Sequence, residues 1–547
     1  MTGAVQSATV DAVVIGAGFS GLCVLKRLRD NGLRVRVFEA GDDVGGTWYW
    51  NRYPGAKCDV ESIYYSYSFD RDLEQDWNWT HRYAAQPEIL AYLQHVADRF
   101  ALREHVTFGT TVTAAAWDAD DRTWTVRCDG GEVVRCTYLI AATGCISAAQ
   151  TPNLPGLTDF AGEVVHTARW PDAGLGLTGR RVAVVGTGST GIQVIPTIAK
   201  QAAHVTVFQR TPHFSAPARN RPLADDEVRQ VKKDYPAIRA RCRVNPAGTE
   251  MTKSVTPAAS LTEQQRHSLL REKWLRGGPA IIAVFADVLI DEEANDVVAS
   301  YFRAQIAAVV EDPTVAELLT PSGYPIGAKR ICVDSDYYET YNRPNVSLVS
   351  IRNTPIERIT GHGIVVDGVE HRADVIVFAT GFDAITGSLN RIEIRGRDGV
   401  LLRDKWADGP RTYLGVATAG FPNLFMITGP GSPSVLVNMV TAIEHHVEFI
   451  ADLLTYCRRH EITVIEPSQD AERDWVHRVN AAADQTLYPR AASWYQGANI
   501  PGKPRVFMPF VGGMGVYREI CDGVIERGYE GFVGIGMPHP QPNEGSS

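Results

Sequence analysis

Two glycine-rich stretches carry the first chemistry legible in this chain. In "VDAVVIGAGFSGLCVLKRLRDNGLRVRVFEA", Gly16, Gly18 and Gly21 form GxGxxG between a β-branched run and an amphipathic segment bearing Leu22, Leu25 and Leu28. Glycines at this spacing let backbone approach a pyrophosphate at the positive N-terminus of a helix. Glu39 follows Gly16 by 23 positions, at the end of the next apolar run, where a carboxylate can accept ribose hydroxyls. "RRVAVVGTGSTGIQVIPTIAKQAAHVTVFQRTPHF" repeats the pattern with Gly186, Gly188 and Gly191, but its position 23 after the first glycine is Gln209, followed by Arg210 and Thr211. A carboxylate there would repel a 2′-phosphate, whereas a neutral amide followed by a guanidinium and a hydroxyl accommodates one. The pair predicts FAD at the first loop and NADPH at the second.

These loops need strand–turn–helix units to position them. Two further apolar runs, "YLIAATG" (Tyr138–Gly144) and "DVIVFATG" (Asp374–Gly381), read as buried strands entering glycine turns. By likeness to two-dinucleotide flavoproteins, such strands carry the chain from one nucleotide domain to the other. The expected fold is therefore α/β, with two Rossmann-like dinucleotide-binding domains and a helical insertion in the NADP domain. The FAD domain is expected over 1–145 and 386–533, and the NADP domain over 146–215 and 335–385. The insertion, 216–334, contains "LTEQQRHSLLREKWL" and "ANDVVASYFRAQIAAVVED", and 534–547 is expected to be a flexible tail.

Composition narrows the class. A length of 547 residues exceeds one ordinary core, and 44% apolar with 21% charged residues is a globular balance. A net charge of -9 from scattered acids argues against nucleic-acid binding by phosphate neutralisation. The N-terminal run lacks a basic region and a cleavage site and is too short to span a bilayer, so neither a signal peptide nor a membrane partner is expected. Nine cysteines include no CxxC or CxxxxC pair, which suggests a reducing cytoplasm and removes the redox disulfide of flavin disulfide reductases. No metal site is expected.

FAD with NADPH leaves a reductase, an amine hydroxylase, a ketone oxygenase or a decayed NADP sensor open. Two further segments decide by resemblance. "FAGEVVHTARWPD" places Phe160, Gly162, His166, Trp170 and Pro171 in FxGxxxHxxxWP, and "GGTWYWNRYPGAKCD" matches [AG]GxWxxxx[FY]P[GM]xxxD. In this order, with the two loops, they resemble the type I Baeyer–Villiger monooxygenases from about residue 8 to about residue 533. Within that family, the branch holding phenylacetone and steroid monooxygenases shares "YWNRYPGAKCDVESI", "QRTPHF", "GAKR" and "SWYQGANIPGKPRVFMPF".

The resemblance implies an enzyme that uses NADPH, FAD and O2 to turn ketones into esters or lactones, through a C4a-peroxyflavin and a tetrahedral adduct. Bulky aryl, cyclic or steroid-like ketones are the expected substrates; the alternative is N- or S-oxygenation. It implies that Arg330 is the active-site cation and Asp59 the carboxylate orienting it. Such a charge must be permanent and paired if it is to be buried. It places Lys329 near the NADP 2′-phosphate and Trp494 on NADP from a mobile loop. It lines FAD with Ser20, Thr47, Trp48, Tyr49, Trp50, Tyr65, Val112 and Met439. The NADP pyrophosphate falls to Thr187, Gly188, Ser189, Thr190, Gly191, Ile192 and Gln193, and the substrate pocket to Ser434, Val435 and Leu436. The opening FxGxxxHxxxWP segment is read as an interdomain linker, with His166 packed against Trp170 and bonded to backbone rather than acting as a base.

Overall fold

The computed structural model describes residues 8–535. Its first sheet has eight strands, in the order Glu393–Arg395, Val112–Asp118, Thr123–Cys128, Val133–Ala141, Ala8–Ile15, Val35–Phe38 and Val106–Thr107, with Leu424–Met426 paired to the end of Val133–Ala141. The glycine-loop strand Ala8–Ile15 is parallel to both neighbours. Such a strand is buried on both faces, which is why "AVVI" is continuously apolar. Ala12 and Val14 face a core with Leu22, Leu25 and Leu28 of helix Phe19–Asp30 and Phe449, Ile450 and Leu453 of helix Met439–Arg459. Val13 and Ile15 face Trp124, Leu139, Ile394 and Met426 on the other side.

A second sheet is parallel throughout, in the order Val346–Ser350, His204–Gln209, Arg181–Val185, Val375–Phe378 and Glu163–His166. Val182, Val184, Val205, Val207 and Val377 pack on helix Ser189–Ala199, whose Ile192, Ile195 and Ile198 are in the same core. Ala183, Val185, Phe208, Ile376 and Phe378 face Ile359 and Ile364 of a three-stranded antiparallel sheet built from 358–372. The architecture is thus α/β with two dinucleotide-type units.

Helices Asp225–Val244, Glu263–Arg276, Glu292–Val309 and Pro313–Leu319 lie in the chain between strands His204–Gln209 and Val346–Ser350 of the second sheet. Local signals start them: Thr262 and Gln265 form a reciprocal capping box, and the Asp291 carboxylate accepts from the Ala294 N–H. Leu270 of the second helix and Val298 and Phe302 of the third share a core with Phe285, whereas Ala316 and Leu319 of the fourth lie in the core of the second sheet and Arg239 of the first reaches Glu74 and Ser66 of the first unit. Their ends are gathered by a two-stranded parallel ribbon, Ser215–Pro217 with Cys332–Asp334.

Two expectations change. The FxGxxxHxxxWP segment is not a free linker: Glu163–His166 is the outer strand of the second sheet, with His166 opposite Phe378. A pairing across more than two hundred residues leaves no local trace. At the C-terminus, Gly534 and Ile535 belong to strand Phe532–Ile535, antiparallel to Val464–Pro467, so the expected tail from 534 begins too early; its remainder lies outside the described residues.

The two units meet at a glycine. Gly55 has φ +89°, and a Cβ there would lie 2.5 Å from the Gln193 carbonyl oxygen and 2.6 Å from Thr197 Oγ1. Backbone of the first unit is pressed on helix Ser189–Ala199 of the second, and only glycine fits both the dihedral and the distance. Gly55→Ala is expected to destabilise the protein by at least about 2 kcal/mol, read as a lowered melting temperature of the flavin-loaded enzyme; an unchanged melting temperature would contradict this contact.

Candidate active site

The first glycine loop opens helix Phe19–Asp30 at Gly18, and no side chain caps the helix start. Glu39 is buried at the end of Val35–Phe38; its carboxylate accepts from the Ala17 N–H at 2.7 Å and the Gly41 N–H at 2.8 Å. Burial raises its pKa against these bonds. The second loop opens helix Ser189–Ala199 at Gly188, also without a side-chain cap, and a Cβ on Gly188 would meet nothing within 4 Å. Uncapped helix N–H groups facing open space suit a pyrophosphate. In both loops the residues present fit a dinucleotide.

"GGTWYWNRYPGAKCD" wraps from the first loop toward the second unit. Thr47–Trp50 is a single helical turn, with the Gly46 Cα 3.2 Å from where a Gly18 Cβ would be. Trp48 is buried; its indole N–H donates to Tyr65 Oη at 3.2 Å, and its carbonyl accepts from Gln86 Nε2 at 2.5 Å. Tyr49 and Trp50 meet edge to face. Ser20 is buried on helix Phe19–Asp30. Val112 begins its strand in the core with Phe38, and Met439 begins its helix between two apolar clusters.

Asp59, at the end of this segment, meets Arg330. Arg330 Nε donates to Asp59 Oδ2 and Nη2 donates to Asp59 Oδ1, both at 2.7 Å. A third bond runs from Nη1 to the Val435 carbonyl oxygen at 2.7 Å. The side chains are 30% and 21% exposed, so one side of the pair remains open. Burial pushes the Asp59 carboxyl up, but the charge and bonds of Arg330 hold it below the ordinary carboxylate value. Burial works against the guanidinium too, yet Asp59 keeps it more strongly protonated than usual. Both remain charged at any working pH.

Ser434–Leu436 is a short 3-10 turn just before helix Met439–Arg459, with Ser434 at φ +42°. Ser434 and Val435 are buried and Leu436 is partly so. The Val435 carbonyl was absent from the sequence reading, and no residue-type pattern could have pointed to a main-chain oxygen. Trp494 stacks obliquely on buried Tyr495 at 4.4 Å. Their segment is tied to the Phe382–Ala384 connection: Lys503 Nζ pairs with Asp383 Oδ1 at 2.5 Å, and Asn499 Nδ2 donates to the Phe382 carbonyl at 2.7 Å.

The NADP-type residues divide. Thr187 Oγ1 donates to the Thr211 carbonyl at 3.2 Å, and Ser189 Oγ lies 3.3 Å from Cys332 Sγ. Thr190 is half-buried and Gly191 is packed on the Gly186 carbonyl. The side chain of Ile192 lies in the core, and Gln193 bonds to Tyr53 Oη and to both backbone groups of Lys57, so these two offer a ligand only backbone. Gln209 is buried and donates to the Leu318 carbonyl at 2.7 Å. Lys329 sits over the Tyr324 ring at 4.6 Å, and Arg210 is exposed.

His166 is structural. Its Nδ1 accepts from the Ala168 N–H at 3.0 Å, and burial lowers its pKa, so it is neutral. Its aromatic neighbour is Phe382, edge-on at 6.3 Å, in place of the expected Trp170, which lies in the core of the second sheet. Phe160 is in the opposite core, and Gly162 presses on the Asp374 carbonyl. Pro171 is exposed. Next to these, the Arg169 guanidinium lies 3.8 Å over the Trp50 ring and Asp172 pairs with Arg52. The two fingerprint segments thus clasp each other across the two units. Arg169 and Asp172 escaped the sequence reading because their partners are remote.

Residues 10–266 match the family model described as pyridine nucleotide-disulphide oxidoreductase. A Baeyer–Villiger monooxygenase of Pseudooceanicola batsensis is 41% identical, over 96% of each chain. This chain belongs to the Baeyer–Villiger monooxygenase family. A phenazine N-monooxygenase of Lysobacter antibioticus is 42% identical, over 96% of each chain. The solved structure of an oxidised steroid monooxygenase bound to NADP superposes with a TM-score of 0.93 at 50% identity, covering 97% of this chain and 100% of that one. The enzyme is FAD-dependent and takes NADP. All nine of its cysteines are free and buried, and among the described residues no helix is long and apolar enough to cross a membrane.

One further carboxyl sits between the site's two arms. Asp334 Oδ2 accepts from Ser215 Oγ at 2.5 Å and Oδ1 from the Tyr337 N–H at 3.3 Å, locking the ribbon that joins "QRTPHF" to "GAKR". Burial pushes its pKa up to about 6 from an ordinary 3.8. Because the folded value is the higher, this group favours folding fully below the unfolded value, and that contribution is lost as pH rises through about 6. Asparagine mimics the neutral form: its Oδ1 can accept from Tyr337, and its amide can donate to Ser215. Asp334→Asn is therefore expected to raise the melting temperature at pH 7.5, by up to about 3 kcal/mol of stability, and to have little effect at pH 4. Thermal melts at the two pH values check this; equal shifts would refute it.

Proposed function

We propose that this enzyme inserts one oxygen atom of O2 beside a ketone carbonyl, giving an ester or lactone, and that Arg330 is the cation on which the insertion depends. The observation carrying the reading is the three-bonded Arg330, held by Asp59 from one side and by the Val435 carbonyl of the substrate loop from another. When bound, FAD and NADPH supply hydride transfer and the activation of dioxygen. The protein supplies a fixed positive field. Arg330 is preorganised: Asp59 fixes its plane, so its remaining N–H groups can donate to substrate oxygen as negative charge develops, without reorienting at that moment. The Val435 bond places that donor beside Ser434, Val435 and Leu436, which we assign to the ketone pocket. Neutral His166 moves no proton.

FAD is assigned to the unit formed by residues 1–145 and 386–533, and NADPH to 146–215 and 335–385. Thr187–Gln193 receive the pyrophosphate, and Arg210, Thr211 and Lys329 the 2′-phosphate, with Trp494 closing over NADP. The likeness to a steroid monooxygenase supports a bulky ketone as substrate, and nine unpaired cysteines fit a reducing cytoplasm. The N-monooxygenase relative supports a second reading, oxygen transfer to an aromatic nitrogen. The two differ in their need for Arg330, because oxygen transfer to nitrogen develops no oxyanion on the substrate.

The purified enzyme, given NADPH, O2 and aryl, cyclic and steroid ketones beside a phenazine, is expected to yield esters identified by mass. Arg330→Ala should keep flavin reduction within a few-fold of wild type while ester formation falls by at least about 100-fold. Undiminished ester formation by that variant would remove Arg330 from the mechanism. Arg210→Ala is expected to raise KM for NADPH by about tenfold and to leave KM for NADH nearly unchanged; equal rises would show that it does not read the 2′-phosphate.

A further inference from the structure

At the C-terminal edge of the second sheet, the ends of two neighbouring strands bring a further cation to the two just assigned to the 2′-phosphate. His204–Gln209 and Val346–Ser350 run parallel, with Gln209 opposite Ser350, and the Ile351 N–H donates to the Gln209 carbonyl at 2.8 Å. Arg210 leaves the first strand one residue past its end; Arg352 leaves the second two residues past its end. In open α/β sheets this edge is where ligands bind. The Arg352 guanidinium reaches over Gly323: its Nη2 lies 3.8 Å from the position a Cβ would take there. The next residue, Tyr324, is the ring on which Lys329 rests, and Tyr324 Oη donates to the Pro212 carbonyl at 2.8 Å, two residues from Arg210. Arg210, Lys329 and Arg352 therefore converge from three segments far apart in sequence.

None of the three forms an ion pair among the described residues, although Arg303, Arg330 and Arg358 nearby in sequence all do. Gln209, which could have brought an acceptor, is turned inward to Leu318. The Lys329 ammonium is pushed down to about 8 by burial and then by the charges of Arg210 and Arg352. Unneutralised like charges gathered at a ligand-binding edge are stabilised by a polyanion, and a phosphate monoester offers two charges and three acceptor oxygens.

We infer that Arg352 is a third cation reading the 2′-phosphate of NADPH, and so a determinant of NADPH over NADH. The inference rests on the assignment of this edge to the 2′-phosphate in the proposed function. It adds a residue that no glycine-loop pattern contains, because Arg352 lies 166 positions beyond the loop's first glycine, Gly186.

Calorimetric titration of the oxidised, FAD-loaded enzyme tests it with NADP+, NAD+ and adenosine 2′,5′-bisphosphate. For Arg352→Ala, Kd for NADP+ and for the bisphosphate should rise about tenfold while Kd for NAD+ changes less than twofold. Arg352→Lys should recover most of the loss, since it restores a charge at the same place. Arg352 is exposed and makes no protein ion pair, so the variant should fold, with unaltered flavin content as the check. If Arg210→Ala weakens NADP+ selectively and Arg352→Ala does not, this inference is overturned and the assignment of the edge stands. If neither variant is selective, the assignment itself fails.

Discussion

A guanidinium at the edge of the interior must have a carboxylate, and here that requirement organises the molecule. Moving an ion out of water costs several kcal/mol unless a partner with good geometry compensates it. Arg330 finds that partner 271 residues away, in Asp59, and meets it with two parallel hydrogen bonds. Its third bond reaches the Val435 carbonyl. One side chain therefore joins the end of the "GGTWYWNRYPGAKCD" segment, the strand leaving the helical insertion and the turn before helix Met439–Arg459. A shift of any of the three would break part of this set, and separation of Asp59 from Arg330 would leave a half-buried charge unpaired, so the site and the packing of the units are fixed by the same bonds.

The remaining interfaces between the two units serve the same geometry. Gly55 lets the "GGTWYWNRYPGAKCD" segment lie on the backbone of helix Ser189–Ala199, and Gln193 on that helix is hydrogen-bonded to Tyr53 and Lys57. Arg169 and Asp172 reach the other way, to Trp50 and Arg52. Lys503 and Asn499 hold the Trp494 segment to the connection at 382–384. These contacts are mostly polar or aromatic, while the two sheets themselves are closed by continuous apolar cores. His166, read from the sequence as bonded to backbone rather than acting as a base, belongs to this mechanical layer as a neutral acceptor at a strand end.

The match to the pyridine nucleotide-disulphide oxidoreductase model covers a framework for passing hydride between dinucleotides. That framework does not decide where the electrons go next. In this chain every cysteine is buried and unpaired. What stands at the junction is the ion pair Arg330–Asp59, whose guanidinium is chemistry suited to steadying negative oxygen. The family assignment and the local chemistry therefore agree through different observations.

The sequence by itself determined the two glycine loops, the acidic and neutral ends of their second strands, the strand runs entering "ATG", the helix-prone stretches at 261–275 and 294–312, and the membership of Arg330 and Asp59 in motifs. All of these are local: a 3.6- or 2-residue period, a turn that only glycine can make, or a residue type at fixed spacing is present in a short window whatever the rest of the chain does. Only the tertiary structure decided that Glu163–His166 is a strand, that Gln209 and Gln193 turn to protein partners, that His166 meets Phe382, that a main-chain oxygen of Val435 anchors Arg330, and that Arg352 joins Arg210 and Lys329. Each depends on segments many tens to hundreds of residues apart being brought within hydrogen-bond or packing distance. Such proximity is set by the summed burial of the cores, and no short stretch of sequence encodes it.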